Sequence, residues 1–314
     1  MRLATACFVS LSVLLGSAVS ARADVNVIAS IKPVHSLVAG VMKGVGTPEL
    51  IVDGAASPHT YALKPSQAAA LEKADVVFWM GHQIESFLDK PLETLASRAT
   101  AVELFDVKAL TKYDIREGGA FDAHAHDDHD DHAAEAKHSA AQSDHKDHAH
   151  ENEHAHEKEH KHTSAKKEAG HDDHHHGHKD KDAHVWLDPL NAKVLVRTIE
   201  QTLSAADPDN AAAYKKNAAV LKADLDALIA DISGEVDAVR GKGFVVFHDA
   251  YQYFEKRFGL MATGSISLSP EVMPGARRIK ELRAKVGSLG VACVFSEPQF
   301  QPKLVSTVVE GTPA

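Results

Sequence analysis

Cysteine is nearly absent from this chain of 314 residues, which contains two. Cys7 lies in the apolar start of the chain, so Cys293 is left alone if that start is removed. A single thiol needs an explanation in an exported protein, because disulfides form and persist outside the cytoplasm. No cysteine stands at the cleavage point predicted below, so a lipid-anchored form is not expected.

Long hydrophobic runs are absent after the start of the chain, which excludes a membrane span there. The start has the pattern of a signal peptide: a basic residue, an apolar stretch over 3–19, and a small-x-small cleavage site at 21–23. A membrane anchor is the alternative, but the stretch is too short and too diluted by polar residues. We therefore predict a signal peptide over 1–23 and a mature protein in the periplasm.

An excess of basic residues is also absent, since the formal net charge is −10. Residues 120–183 carry 17 acidic and 8 basic side chains, which accounts for −9 of that charge. The rest of the chain is close to balanced, and it shows no basic patch of the kind that binds nucleic acid. We therefore do not expect nucleic acid as a partner.

Histidine is what the sequence has in abundance, with 22 in the chain and 17 of them within 120–183. That stretch has one aromatic residue and no apolar periodicity, so it cannot bury enough surface to offset the entropy of ordering it. We predict a disordered His-rich acidic insertion over 112–183. Such tracts bind Zn²⁺, Cu²⁺ or Ni²⁺ weakly at many sites, although a solvated charged linker is the alternative.

Short apolar runs alternate with helical patterns on both sides of the insertion, which is typical of parallel sheets covered by helices. The predicted fold class is α/β, with two lobes joined by one long helix. The first lobe comprises 24–111 and 184–207, the linker helix 208–240, and the second lobe 241–314. A coiled-coil arm is the alternative for the long helix. The predicted strands are 25–29, 50–52, 76–79, 101–104, 244–247, 260–263 and 291–295.

Four histidines outside the insertion lie at strand ends or in loops: His59, His82, His184 and His248. Imidazole is a common metal ligand, and sites of open α/β sheets lie beyond the carboxyl ends of the strands. Each histidine alone would be read as a surface or capping residue, but their number beside a His-rich stretch favours a metal site. His35, on the first predicted helix, is a weaker candidate.

Four segments resemble motifs of the ZnuA family, the zinc-binding proteins of bacterial zinc ABC importers. They are the loop 54–66 around His59, the segment 183–189 that begins Ala-His-Val-Trp-Leu-Asp-Pro, the segment 247–254 that begins Phe-His-Asp-Ala-Tyr, and the segment 293–300. The resemblance implies a Zn²⁺ site in a cleft between two lobes. Its implied ligands are His59 and His184 from the first lobe and His248 from the second.

The resemblance also implies a function without catalysis. The protein would capture Zn²⁺ in the periplasm and deliver it, as a monomer, to the membrane permease of a zinc ABC importer. Manganese-binding relatives usually carry a carboxylate at the position of His248, and an imidazole there suits zinc better because Mn²⁺ prefers oxygen ligands.

The chain departs from the family pattern in two places. Pro58 stands where some members have a glutamate before the first histidine, and the chain stops before the Asp-Pro-Leu-Gly segment that supplies the usual fourth ligand. Relatives also pair the cysteine at the position of Cys293 with one near their C-terminus. We therefore expect the second lobe to be C-terminally incomplete, with the fourth ligand left open.

Two other functions remain open from the residues alone. Three histidines with an open fourth position are also typical of zinc hydrolases, in which Asp249 or Glu297 could act as the base. Outside the His-rich stretch, no hydrolase motif such as His-Glu-x-x-His supports that function. The other alternative is a metal-buffering protein in which the insertion does the main work.

Overall fold

The computed structural model describes residues 25–116, 181–267, 275–300, 302–312 and 314. The predicted signal peptide and residues 117–180 of the predicted insertion lie outside these ranges, and so do the predictions made for them. Within the described ranges, no helix combines the length and the apolar character that crossing a bilayer requires.

The first lobe is built on a four-stranded parallel sheet with strand order β2-β1-β3-β4. Its strands are β1 (Val27–Ala29), β2 (Glu49–Leu50), β3 (Val76–Trp79) and β4 (Thr100–Glu103). All four residues of β3 are buried, because helices cover the central strands of a parallel sheet on both faces. The connecting helices are α1 (Lys32–Met42), α2 (Pro65–Leu71), α3 (His82–Glu85) and α4 (Asp89–Thr94).

The helix predicted between β3 and β4 is broken in the structure. A 3-10 turn over Ser86–Leu88 separates α3 from α4, where the sequence pattern predicted one helix from 84 to 95. Pro91 lies in the first turn of α4 and has no backbone N–H to donate to the preceding turn. The apolar period therefore persists across the break, while the hydrogen-bond ladder does not.

Two long helices follow the insertion and complete the first lobe. Helix α5 (Pro189–Ala206) begins at Asp188, whose carboxylate accepts a hydrogen bond from the N–H of Leu190. Helix α6 (Ala211–Val236) has 26 residues, a length of about 39 Å. Its first half packs on α1 and α5, and Asn217 donates from its side chain to the backbone of α1. The predicted linker helix thus belongs to the first lobe along its first half.

The second lobe is built on a three-stranded parallel sheet with order β6-β5-β7. The strands are β5 (Phe244–Val246), β6 (Ala262–Ser265) and β7 (Cys293–Val294), and the helices are α7 (Gln252–Phe258), α8 (Ala276–Leu289) and α9 (Pro302–Val309). A separate apolar core lies between this sheet and α8 and α9. The predicted α/β class, with parallel sheets flanked by helices, is confirmed.

Strand β6 begins two residues later than the sequence predicts. Gly259 ends α7 with a φ of 67°, and the N–H of Leu260 turns back to the carbonyl of Glu255. Met261 is 74% exposed. The apolar pair at 260–261 therefore lies in the loop between α7 and β6 and not in the strand, a distinction that a count of apolar residues cannot make.

Candidate metal centre

Three histidines predicted from separate segments meet in one cleft. His59 lies in a 3-10 turn over Pro58–Thr60 that follows β2, His184 immediately precedes the 3-10 turn that leads into α5, and His248 follows β5. One ring nitrogen of each lies within 4.8 Å of the others. The carboxyl ends of parallel strands meet at one edge of a sheet, and here the two sheets turn those edges towards each other.

The two other candidate histidines lie outside this cluster. His82 begins α3, its side chain is 64% exposed, and its ring pairs with Asp89 at 2.6 Å. His35 on α1 bonds through its ring to the carbonyl of Pro48 at 3.1 Å. Both are thus engaged in local structural contacts, as the reading of a single histidine as a surface or capping residue anticipated.

Burial shapes the chemistry of His59. Desolvation, followed by the nearby rings of His184 and His248, lowers the pKa of His59 from 6.5 to about 3. A neutral imidazole keeps a lone pair for a metal ion, whereas an imidazolium has none. His59 is therefore in its ligand form throughout the neutral range without losing a proton.

Two buried carboxylates orient the other two rings. Asp182 accepts from Nδ1 of His184 at 2.8 Å, and Glu297 accepts from Nδ1 of His248 at 2.8 Å. The side chains of both acids are 5% exposed. Because each Nδ1 carries the donated proton, the lone pair of each ring lies on Nε2, on the side away from the carboxylate.

Sequence analysis missed the role of Asp182 and considered Glu297 only as a base in the hydrolase alternative. The Asp-x-His spacing of Asp182 and His184 was a local signal that could have suggested the first pair. Glu297 lies 49 residues from His248, and no local pattern connects them.

The cleft between the lobes encloses about 220 Å³. Its wall is partly apolar and comes from both lobes, with Ile31, Val52 and Trp186 on one side and Phe300 on the other. Phe300 stacks on Phe247 with ring centroids 4.1 Å apart. Such a wall limits the access of water, which strengthens the attraction between a bound cation and its ligands.

The donor set is suited to a borderline divalent cation. Three imidazole nitrogens match the ligands that Zn²⁺ takes in open sites with one further position. Nitrogens in a tetrahedral zinc site stand about 3.4 Å apart, as a Zn–N distance of about 2.0–2.1 Å requires. One nitrogen of each ring already lies within 4.8 Å of the others, so small side-chain adjustments would bring the three nitrogens onto one ion.

The chain matches a known protein family over nearly its whole length. Residues 27–314 match the family described as "ZnuA: Zinc-uptake complex component A periplasmic". The chain is 50% identical over 289 residues to the high-affinity zinc uptake system protein ZnuA of Brucella abortus (strain 2308), covering 92% of this chain and 81% of that protein. The protein of that name from Yersinia pestis is 33% identical, covering 92% and 80%.

Solved structures show the same fold. A crystal structure of ZnuA superposes with a TM-score of 0.66 at 20% identity, covering 93% of this chain and 89% of that one. The Zn(II)-bound ZnuA-like domain of Streptococcus pneumoniae AdcA superposes with a TM-score of 0.59 at 20% identity, covering 92% and 84%. The family match extends over nearly all of the described residues, and both of these curated relatives exceed 30% identity over most of both chains. This chain therefore belongs to the ZnuA family of periplasmic zinc-uptake components.

Proposed function

We propose that this chain captures Zn²⁺ in the periplasm and delivers it to the membrane permease of a zinc ABC importer. His59, His184 and His248 are the proposed ligands, and the protein acts as a monomer. The observation that carries the proposal is the approach of one ring nitrogen from each of these side chains to within 4.8 Å, from both lobes. The names of the family and of its curated relatives support zinc as the cargo.

A cargo site must release its metal, and the donor set suits this requirement. The three neutral imidazoles carry no negative charge of their own, while Asp182 and Glu297 hold two of the rings from behind. The attraction of these carboxylates for the cation acts through the rings instead of by direct ligation. Because the ligands come from both lobes, separating the lobes would divide the site and weaken its hold on the ion.

The proposal is tested by competition between the metal-free protein and a zinc chelator of known affinity. Replacing His248 with Ala should weaken the tightest zinc site at least tenfold, which corresponds to about 1.4 kcal/mol. His82→Ala is the matched control, because it removes an imidazole that is 64% exposed and outside the cluster. An unchanged affinity in His248→Ala would refute the assignment of the site.

The carboxylates considered as hydrolase bases are already engaged. Asp249 is bound by the guanidinium of Arg116, and Glu297 by the ring of His248. These contacts favour a binding protein over an enzyme. The pattern His-Glu-x-x-His does occur at 150–154 and 156–160, among residues that the structure does not describe. Zinc-loaded protein should therefore be screened for esterase and peptidase activity, and turnover lost with His248→Ala would support the hydrolase instead.

A further inference from the structure

The two sides of the His-rich stretch come together in a short antiparallel pair. We call it the neck, and it comprises 113–116 before the stretch and 181–182 after it. Asp114 and Lys181 form an antiparallel bridge, and the N–H of Asp182 donates to the carbonyl of Tyr113 at 2.9 Å. The sequence prediction counted these residues with the insertion. In the structure they pack against both lobes, and Asp182 stands two residues before His184.

Helix α7 of the second lobe forms hydrogen bonds with the neck. The hydroxyl of Tyr253 accepts from the N–H of Tyr113 at 3.0 Å and donates to the carbonyl of Asp182 at 2.6 Å. One hydroxyl thus satisfies a donor on one side of the neck and an acceptor on the other. Tyr253 is fully buried and packs within the apolar core of the first lobe, although it belongs to the second. Beside it, Gln252 donates to the carbonyl of Asp114 at 2.9 Å.

Arg116 makes a second connection between the neck and the second lobe. Its guanidinium donates to Asp249 at 3.0 Å and to both oxygens of Glu255 at 2.7 and 2.9 Å. The two acids are 12% and 2% exposed. A buried ion pair is costly unless its geometry satisfies the charges, and here one planar fork holds two carboxylates. The fork fixes the neck against the loop that carries His248, because Asp249 is the next residue.

The lobes need such a connection for a geometric reason. The covalent path from the first lobe to β5 runs through α6, which is about 39 Å long, and a small rotation at its end would displace His248. A zinc site tolerates ligand distances within about 0.2 Å of the ideal. The contacts of the neck lie beside the site, since Asp182 holds the ring of His184 and Asp249 follows His248. The contacts of the neck are therefore placed to fix the relative position of the two lobes at the metal site.

We propose that Arg116 and Tyr253 are positioning residues of the metal centre: they fasten the second lobe to the neck, and this holds His248 where it can share one Zn²⁺ with His59 and His184. The inference deepens the proposed function and depends on it. Neither side chain is a ligand, and both act through the placement of His248.

The first test removes a single oxygen atom. Tyr253→Phe deletes the hydroxyl that bridges the neck, and zinc affinity measured by chelator competition should fall at least tenfold. Tyr214→Phe is the matched control, because this buried hydroxyl bonds to Asp207 at 2.9 Å within the first lobe. Both variants should lower the melting temperature of the metal-free protein, whereas only Tyr253→Phe should change the affinity. Equal zinc affinities in the two variants would overturn the inference.

The second test uses the fork. Arg116→Met leaves two buried carboxylates without their cation and should lose most of the tight zinc binding. Arg116→Lys keeps the charge but cannot hold both acids in one plane, so it should recover part of the affinity. Wild-type affinity in a folded Arg116→Met variant would refute the role of the fork, and if that variant fails to fold, Tyr253→Phe still decides. A wild-type protein without tight zinc binding would instead overturn the proposed function itself.

Discussion

Replacing His59 with Gln in the metal-free protein should remove much of its sensitivity to mild acid. Desolvation, with the rings of His184 and His248, lowers the pKa of His59 from 6.5 to about 3 in the folded state. The unfolded chain therefore binds a proton at this side chain several pH units before the folded protein does. Stability from this group is complete above pH 6.5 and is lost as the pH falls towards 3.

The size of the effect follows from these two values. Between the unfolded pKa of 6.5 and the folded pKa of about 3, each pH unit lowers the free energy of unfolding by about 1.4 kcal/mol. Lowering the pH from 7 to 5 should therefore cost about 2 kcal/mol through His59, because the loss begins near pH 6.5. That is a large part of a typical domain stability of about 5–15 kcal/mol. The Gln variant has no such proton to bind, and its stability should fall by that much less over the same interval.

The assay is urea denaturation in the presence of a chelator at pH 7 and pH 5. Ile199→Val is the control, because it removes one methylene from the buried face of α5 and should cost about 0.5–1.5 kcal/mol equally at both pH values. Its pH dependence should match that of the wild type. If His59→Gln loses as much stability between pH 7 and pH 5 as the wild type, then burial does not keep this ring neutral and the reasoning is wrong.

Two further predictions concern the surroundings of the site. Replacing Asp182 or Glu297 with Ala should weaken zinc binding about 10–100-fold, since each acid orients a ligand ring. Glu297→Gln should retain part of the affinity, because its amide oxygen still accepts a hydrogen bond from the ring of His248. Equal zinc affinities in the Ala and Gln variants of Glu297 would argue that the carboxylate does not act by orienting the ring. Replacing 117–180 with a short Gly-Ser linker should keep the tight zinc site and remove the weaker zinc sites. Replacing 112–183 in the same way should also abolish the tight zinc site, because it removes the neck and Asp182. Loss of tight binding in the shorter deletion would favour the metal-buffering alternative, in which the insertion does the main work.

The sequence by itself determined the class of the fold and the identity of the clustered histidines. Parallel strands buried on both faces leave continuous apolar runs, which is why β3 lies at Val76–Trp79 as predicted. Four histidines were candidates because they lie at strand ends or in loops, and the resemblance to the ZnuA family selected His59, His184 and His248 from them. Both signals are local, because each lies within a short stretch of sequence.

The tertiary structure alone decided which groups support those histidines. Glu297 meets His248 across 49 residues, and Arg116 meets Asp249 across 133. Local periodicity records which side of an element is buried, but it carries no information on which distant segment covers that side. For the same reason, the sequence assigned 112–116 and 181–182 to the insertion: three of the first five residues and both of the last two are charged. Their contacts with α7 arise only when the two lobes come together, because the partners that satisfy them belong to the other lobe.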